Sequence, residues 1–378
     1  MNLPDLQQDD ALRRREFPVC TDKAYLAHAG VSPLPACVER AVRESVSVGT
    51  RNDQEEGLAE LLRETRTRAA ALLGADYGEV ALIGPTTAGL SAVAAGLDWQ
   101  AGDEVLIYQD DFPVNVYPWL ALESRGVTVR RLQTPALGQI TPEGVAEQLT
   151  DQTRLVALAS CHFVSGWRID HGAIGRLLRE RGVLFCLDAI QTLGAFPTTV
   201  EHVDFLAADA HKWLLGPCAA GVFYVRRELQ DRLAPSAFGW NNVRCPNYVA
   251  QETMNLRADA RRYEAGSFNI LGISGLNAAL GLLLEVGIDR ITADLTAKRT
   301  WLVNALQEKG YEVFHPAAVS GITSCWRENT DMKVLGDKLA TKNIIASIRG
   351  GRSGQDYLRF SPHFYNTPAE LVRAVELL

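Results

Sequence analysis

Two stretches of sequence decide the fold: residues 183–188 read VLFCLD, and residues 207–217 read AADAHKWLLGP. The first is an apolar run that ends in a carboxylate, Asp188. The second places Lys212 on a loop that follows another apolar run. Continuous apolar runs, unlike alternating ones, are typical of strands that are buried on both faces. We therefore expect Asp188 to end a strand of a buried sheet and Lys212 to lie beyond a later strand.

Similar apolar runs alternate with amphipathic helical stretches, such as residues 174–180, from about residue 79 to residue 226. The runs occupy residues 80–83, 105–108, 127–129, 155–159, 183–187, 205–207 and 221–225. This alternation predicts an α/β fold with a mainly parallel central sheet and helices on both faces. Ligands bind such sheets at the carboxyl ends of the strands, which is where Asp188 and residues 110–112 fall.

The C-terminal part of the chain has a different pattern. Long helical stretches at 270–286 and 291–309 precede shorter apolar segments, and a helix begins at Pro368. The shorter segments, which we expect to be strands, are residues 312–314, 321–326, 346–348 and 357–360. This predicts a smaller α/β C-terminal domain. We place the large domain at residues 20–265 and the small domain at residues 1–19 and 266–378.

Composition and charge narrow the class of protein. A chain of 378 residues is too long for one small core, and two domains are the natural expectation. The net charge is −7 and no dense basic run stands out, which argues against nucleic-acid or anionic-membrane partners. The start lacks the features of a signal peptide, and no apolar stretch approaches the ~18 residues of a membrane span. Seven scattered cysteines without a Cys-x-x-Cys pair indicate reduced thiols and no zinc site. We therefore expect a cytoplasmic, metal-independent protein.

The combination of Asp188 and Lys212 suits pyridoxal 5'-phosphate. The lysine amine would form a Schiff base with the cofactor aldehyde. The carboxylate would keep the pyridine nitrogen protonated, so that the ring can withdraw electrons from a substrate carbanion. A single Lys–Asp pair is more often a solvated lysine and an unrelated carboxylate, but the neighbouring motifs favour the cofactor.

Several of these motifs would suit other parts of the same cofactor. Residues 84–91 read GPTTAGLS and join a strand to a helix, where backbone N–H groups and hydroxyls can bind a phosphate. Threonine near a helix start is also ordinary capping. Phe112 could stack on a planar ring, although an aromatic there is more often core. Gln191 could reach a ring oxygen, and His211 could bind the phosphate or be structural.

Taken together with YLAHAGVSPLP at 25–35 and LRFSPHFYNT at 358–367, these motifs resemble the class V aminotransferase and cysteine desulfurase family of fold-type I pyridoxal phosphate enzymes. The resemblance covers nearly the whole chain. It implies that Lys212 is the Schiff-base lysine and Asp188 the partner of the pyridinium nitrogen. The further cofactor contacts that it implies are Thr86, Thr87 and His211 at the phosphate, Phe112 stacked on the ring and Gln191 beside the phenolic oxygen.

The resemblance also implies a substrate site and an assembly. Arg359 matches the arginine that binds the substrate carboxylate, for which a bidentate guanidinium is suited. Ser267 matches a hydroxyl that reaches the phosphate from the neighbouring subunit. We therefore expect a homodimer with shared active sites.

The chain departs from the desulfurase pattern at several positions. Desulfurases carry a nucleophilic cysteine on a loop before the carboxylate-binding arginine, whereas residues 348–357 read IRGGRSGQDY. Of the seven cysteines, only Cys218 is expected near the Lys212 loop. Phe112 stands where desulfurases have histidine, and Phe163 replaces a polar residue. Asp209 stands where several relatives have serine near the phosphate, and we expect this carboxylate to point away because the two anions would repel each other.

The sequence therefore predicts a pyridoxal phosphate enzyme that acts on a small α-amino acid by transaminase-type or C–X lyase-type chemistry. Amino-acid epimerisation and a cysteine desulfurase or selenocysteine lyase-like activity remain alternatives. A different class of function, a non-catalytic regulatory protein that keeps the fold, also remains. The presence of both Lys212 and Asp188 argues against that last alternative.

Overall fold

The structure, a computed structural model, describes residues 3–352 and 354–378. Its α-helices within these ranges are α1 (Leu3–Gln8), α2 (Asp10–Glu16), α3 (Ala36–Gly49), α4 (Leu58–Leu73), α5 (Thr86–Gly96), α6 (Tyr117–Leu120), α7 (Pro142–Ala146), α8 (His171–Glu180), α9 (Ile270–Val286), α10 (Ile288–Glu308), α11 (Met332–Ala340) and α12 (Pro368–Glu376). Its strands are β1 (Ala24–Tyr25), β2 (Val80–Ile83), β3 (Glu104–Ile107), β4 (Thr128–Arg131), β5 (Thr153–Ala159), β6 (Leu184–Asp188), β7 (Phe205–Asp209), β8 (Gly221–Val225), β9 (Glu312–Val313), β10 (Thr323–Trp326), β11 (Ile344–Ile345), β12 (Ser347–Gly350) and β13 (Asp356–Phe360).

Seven strands form the central sheet in the order β2-β8-β7-β6-β5-β3-β4. The five strands from β7 to β4 are parallel to one another, and β8 runs antiparallel to both of its neighbours. The predicted mainly parallel sheet is confirmed, and each predicted apolar run between residues 80 and 225 overlaps one of its strands.

Both faces of the sheet are buried, which explains the continuous apolar runs. In β6, Phe185 and Leu187 pack into one core with helices α4, α8 and α9, whereas Leu184 and Cys186 pack into the other core with α5 and α6. Because successive side chains of a strand point to opposite faces, every position of β6 needs an apolar residue until Asp188. The prediction of helices on both faces is also confirmed.

A second sheet, in the C-terminal part of the chain, is antiparallel and has the strand order β12-β13-β10-β9. Leu358 and Phe360 of β13 pack against Leu302 and Leu306 of α10, and Leu371 of α12 belongs to the same core. The smaller α/β unit that we expected is therefore present in outline. The predicted boundary between the large and the small domain at residue 266 stays a prediction.

Two contacts bear on where such a boundary would lie. Helix α9 is packed into the core of the large sheet. Strand β1 pairs in parallel with β11, and Ala24 and Leu26 pack into the core of the C-terminal sheet. A C-terminal helix therefore packs into the core of the central sheet, and an N-terminal strand packs into the core of the C-terminal sheet.

Within the described ranges, no single helix is long and apolar enough to cross a membrane. Helices α9 and α10 pass that test only as a pair, and they are bent by 78° relative to each other.

The parallel strands bring the predicted chemical groups to one edge of the sheet. Asp188 is the last residue of β6 and Asp209 the last residue of β7. Phe112 follows β3, and Lys212 lies in the turn after β7. Helix α5 is held close to this edge by Gly89, at which a Cβ atom would come within 2.6 Å of the Ala207 Cβ.

Candidate active site

A cavity of about 280 Å³ opens at the carboxyl edge of the central sheet. All of the predicted site residues except Ser267 line it. These residues are Thr86, Thr87, Phe112, Asp188, Gln191, His211, Lys212 and Arg359. They come from five separate segments of the chain, so their convergence is a property of the fold rather than of any one motif.

Lys212 is almost completely buried, with 8% of its surface exposed. Its backbone carbonyl accepts a hydrogen bond from Ser32 Oγ at 2.6 Å, which fixes the turn. Burial lowers the pKa of Lys212 to about 8, against the opposing effect of the Asp188 charge. A substantial fraction of the amine is therefore neutral near pH 8, which is the form that attacks an aldehyde or accepts a proton.

Asp188 is held by two hydrogen bonds at the floor of the cavity. Asn115 Nδ2 donates to Oδ2 at 3.0 Å, and the backbone N–H of Ile190 donates to Oδ1 at 3.0 Å. Burial raises the pKa of Asp188, while the Ile190 N–H and the Lys212 charge oppose that shift. A buried carboxylate of this kind is suited to pair with a cationic ring nitrogen.

Asn115 is a further residue of the site, and no motif in the sequence marked it as one. Asn115 is buried in the short 3₁₀ turn Pro113–Asn115, immediately after Phe112. An amide so close to the proposed ring-stacking residue could have indicated a polar contact. Its partner, Asp188, is identified only by the sheet order, which places β3 near β6.

Phe112 and Gln191 both line the cavity, and their contacts with a cofactor ring stay a prediction. Phe112 is 46% exposed, and the centroid of its ring lies 5.4 Å from Lys212 Nζ. It packs edge-on against Phe163, with the ring centroids 5.4 Å apart. The Gln191 amide is oriented by donation to the Ala29 carbonyl at 3.1 Å and acceptance from Trp213 Nε1 at 3.0 Å. Its nitrogen carries a second hydrogen, the donor that a contact with a ring oxygen requires.

The first turn of α5 contributes Thr86 and Thr87 to the wall of the cavity. Thr86 Oγ1 accepts a hydrogen bond from the backbone N–H of Asp209 at 3.0 Å, so its own hydroxyl proton can be donated elsewhere. Thr87 is exposed beside it. Hydroxyls and N–H groups at the start of a helix of this length are a suitable phosphate site.

Asp209 also lines this cavity, and its carboxylate is held by four hydrogen bonds. Its oxygens accept hydrogen bonds from the backbone N–H groups of Ala210 at 2.8 Å, Ala219 at 3.1 Å and Ala220 at 3.2 Å, and from His211 Nδ1 at 2.8 Å. Burial acts to raise the pKa of Asp209, but the bonds from His211 and the amides outweigh it and lower the pKa. These hydrogen bonds fix the carboxylate, which orients His211. The expectation that Asp209 points away from the cofactor phosphate stays a prediction.

Arg359 lies in β13 and is completely buried. Its Nη1 donates to the carbonyl of Phe163 at 2.5 Å, whereas Nε and Nη2 have no hydrogen-bond partner among the described residues. Burial lowers the pKa of Arg359 to about 9, and the nearby positive charge of Arg349 adds to this shift. A buried cation with unused donors facing a cavity is suited to bind an anion.

Arg349 also lines the cavity, although no motif marked it as a site residue. It lies in β12, within the segment 348–357 in which desulfurases carry their cysteine. Its position at the end of a short apolar run was a usable signal, although an arginine there is more often solvated.

Ser267 lies elsewhere. It lines a second cavity of about 310 Å³ on the outer side of α5, together with Ala88, Tyr263 and Gly266. Within this one chain it does not reach the Lys212 cavity. Its contact with the phosphate of a neighbouring subunit stays a prediction.

No cysteine is among the described residues that line the Lys212 cavity. Cys218, which we expected near the cofactor, is exposed and outside it. Burial raises the pKa of Cys20, Cys161 and Cys325 to about 12, so these thiols stay protonated at neutral pH. In the loop where desulfurases carry their nucleophile, Arg352 donates to the carbonyl of Gln109 at 2.8 Å. Ser353 of that loop lies outside the described residues.

The sequence profile of the Aminotransferase class-V family matches residues 24–373. The chain belongs to this family. Its similarity to individual members is moderate but extends over almost the full length. A probable cysteine desulfurase of Methanothermobacter thermautotrophicus is 28% identical over 387 residues, covering 95% of this chain and 94% of that protein. An uncharacterized aminotransferase of Bacillus subtilis, YcbU, is 29% identical over 371 residues, covering 96% of this chain and 95% of that protein.

The fold is also found in solved structures. A variant of C-DES, with glycine covalently linked to its pyridoxal phosphate cofactor, superposes with a TM-score of 0.88 at 21% identity. The match covers 96% of this chain and 98% of that one. At this identity the likeness establishes the fold. The predicted family membership and the predicted fold class are thus both confirmed.

Proposed function

We propose that this class-V family member is a pyridoxal phosphate-dependent enzyme that acts on a small α-amino acid. The observation that carries the proposal is the burial of Lys212 in one cavity with Asp188. A lysine with a lowered pKa and a fixed carboxylate are what this cofactor requires from a protein.

The side chains present fit the cofactor at each of its ends. Asp188, backed by Asn115, would hold the ring nitrogen, and Phe112 offers an exposed aromatic face for the ring. Thr86, Thr87 and His211 would hold the phosphate, and Lys212 would hold the aldehyde carbon. When bound, the cofactor supplies an electron-withdrawing ring that stabilises negative charge at the substrate Cα.

The chain's own residues then perform binding and proton transfer. Arg359 binds the substrate carboxylate through its unpaired Nε and Nη2, which fixes the position of Cα in the cavity. The Lys212 amine, once released from the aldehyde carbon, accepts the proton from Cα at Nζ. Because burial holds the pKa of Lys212 near 8, the same nitrogen can both accept and return a proton near neutral pH.

Transaminase-type or C–X lyase-type chemistry agrees best with the groups that line the cavity. Both need one base that moves a proton between neighbouring atoms, and Lys212 can be that base. Epimerisation by two bases would need a second group that moves a proton at Cα, and the described residues that line the cavity include no second lysine, no cysteine and no tyrosine. We therefore place epimerisation second.

A desulfurase-like activity is a further candidate because a relative carries that name. If this chain releases sulfur or selenium, we propose that it does so by direct elimination. No thiol lines the cavity among the described residues, so a persulfide on the protein has no obvious site.

We also propose that the protein is a cytoplasmic homodimer. Large apolar side chains are exposed along the segment between β8 and α9, namely Phe238, Trp240, Tyr248, Val249 and Met254. This segment is continuous with residues 263–269, which line the cavity containing Ser267. A second copy of the chain that covered this surface would bury the apolar groups and bring Ser267 toward a neighbouring site.

The test starts with the purified protein loaded with pyridoxal phosphate. We expect an absorption band above ~400 nm that borohydride removes, and peptide mapping that finds the reduced cofactor on Lys212. A panel of amino acids, followed by assays for keto acid, ammonia and sulfide, then separates transamination from elimination. Attachment of the cofactor at Lys23, Lys298 or Lys342, or no product from any amino acid, would contradict the proposal.

A further inference from the structure

Two guanidinium groups meet at one end of the Lys212 cavity. Arg349 lies in β12 and Arg359 in β13, which are antiparallel neighbours. In their register Ser347 is opposite Arg359, and Arg349 is opposite Tyr357. The two arginines are therefore diagonal neighbours on the same face of the sheet, within reach of the same ligand.

The geometry at Gly30 shows how closely the two side chains approach. A Cβ atom on Gly30 would lie 3.5 Å from Nη2 of Arg349 and 3.8 Å from Nη2 of Arg359. Both nitrogens thus point to one spot beside Gly30, which itself lines the cavity.

Neither arginine has an acidic partner in the described residues. Arg349 donates from Nη1 to the carbonyl of Ile348 at 2.9 Å, and Arg359 donates from Nη1 to the carbonyl of Phe163 at 2.5 Å. Burial lowers the pKa of both groups, and the charge of Arg349 lowers that of Arg359 further. Two neighbouring cations without a counter-ion are unfavourable unless a ligand brings negative charge.

One carboxylate neutralises only one of them. If Arg359 binds the α-carboxylate, as the proposed function on which this inference rests requires, Arg349 still lacks an anion. The phosphate-binding groups Thr86, Thr87 and His211 belong to other segments, at the start of α5 and in the Lys212 turn. A second negative charge must therefore come from the substrate side chain.

We propose that Arg349 binds a second acidic group of the substrate, so that the enzyme prefers α-amino acids with an anionic side chain. Because both Nη2 atoms lie within 4 Å of one point, the two acidic groups should be separated by a short chain. Aspartate, glutamate and cysteine sulfinate have that form.

Dicarboxylates without an amine test this binding apart from catalysis. In the holoenzyme we expect succinate and glutarate to bind about ten- to hundredfold more tightly than butyrate, the range of one charge-assisted hydrogen-bonded pair. The readout is the change in cofactor absorption on titration. Arg349→Gln should remove the difference between succinate and butyrate. Arg43→Gln, which removes the same charge from the exposed face of α3, should keep it.

The same variants extend the test to amino acids. We expect Arg349→Gln to raise the half-saturating concentrations of L-aspartate and L-glutamate about ten- to hundredfold, as for the dicarboxylates. The half-saturating concentrations of L-asparagine and L-glutamine should stay nearly unchanged. Arg349→Lys keeps the charge but not the planar guanidinium. Its half-saturating concentrations for L-aspartate and L-glutamate should therefore lie between those of the wild type and those of Arg349→Gln.

Two results would overturn the inference. One is equal affinity of the wild type for succinate and butyrate, which needs no variant. The other is an equal loss for monocarboxylates and dicarboxylates in Arg349→Gln, because both arginines would then bind a single carboxylate. Tight succinate binding with no turnover of any amino acid would instead contradict the proposed function and leave this inference intact.

Discussion

His211 Nδ1 lies 2.8 Å from Oδ2 of Asp209 and donates a hydrogen bond to it. Three backbone amides also donate to the same carboxylate, which keeps it ionised and fixed. With Nδ1 committed to Asp209, Nε2 is the ring nitrogen of His211 that remains for a ligand. The hydrogen bond from Nδ1 holds the imidazole in one orientation at the wall of the cavity.

This arrangement predicts that His211 and Asp209 both support the affinity for pyridoxal phosphate. His211→Gln should bind the cofactor about ten- to hundredfold more weakly, because it removes the ring nitrogen that would contact the phosphate. Asp209→Asn should weaken binding less, because it keeps His211 and removes only the charge of the carboxylate that orients it. Fluorescence titration of cofactor binding compares both variants with the wild type. Equal cofactor affinity of the wild type and His211→Gln would show that the histidine is only structural.

Lys212 should control the rate at which the protein takes up the cofactor. Only the neutral amine attacks the aldehyde, and burial holds the pKa of Lys212 near 8. Uptake should therefore accelerate as pH rises through about 8 and level off above it, which stopped-flow absorption can follow. Lys212→Ala should lose the band and the turnover, whereas Lys342→Ala, at an exposed position, should retain both. A pH-independent uptake rate would contradict the assignment.

Asp188→Asn should retain the cofactor but lose the charge that holds the ring nitrogen protonated. We expect turnover to fall roughly a thousandfold or more, since this charge acts in the transition state. Asn115→Ala should have a smaller effect because it removes one of two hydrogen bonds to the carboxylate. Steady-state kinetics compares the variants, and near-normal turnover of Asp188→Asn would make Asp188 structural.

A shared active site can be tested by complementation. Ser267→Asp should be inactive because a carboxylate would repel the phosphate of the neighbouring subunit, and Lys212→Ala should be inactive on its own. Coexpression of the two should restore activity, because one site of each mixed dimer then contains neither substitution. Mixed dimers without activity, or a monomer with full activity, would contradict a shared site.

Turnover of L-cysteine should proceed without a persulfide on the protein. A persulfide needs an accessible thiolate near the substrate sulfur, and burial keeps the pKa of Cys161 at about 12. We expect each single Cys→Ser variant to keep its activity. Alkylation and mass spectrometry during turnover supply the measurement. A trapped persulfide, together with loss of activity when that cysteine becomes serine, would refute the expectation.

Several features of the fold and the site were predictable because they depend on local chemistry. The apolar runs predicted strands buried on both faces, and the position of Asp188 after such a run placed it at the carboxyl edge of the sheet. Helix α9 has the predicted bounds, whereas α10 begins at Ile288 rather than at residue 291, immediately after Gly287. Element ends of this kind depend on capping contacts, which periodicity does not reveal.

Contacts between distant segments were not predictable in the same way. Asn115 bonds to Asp188 because β3 and β6 lie near each other in the sheet, although many residues separate them in the chain. The Asp209 carboxylate accepts hydrogen bonds from the amides of Ala219 and Ala220 because β8 runs antiparallel to β7 and brings these amides to the end of β7.

The amino-acid sequence by itself determined the sheet, the family and the pairing of Lys212 with Asp188, since apolar periodicity and short motifs are local properties. Only the tertiary structure decided which charges remain without a partner. Arg349 and Arg359 converge because strand register places them diagonally on one face. That neither has an acidic partner among the described residues depends on every segment packed around the cavity. Register and burial are set by the whole fold, so the electrostatic character of the site is a tertiary property.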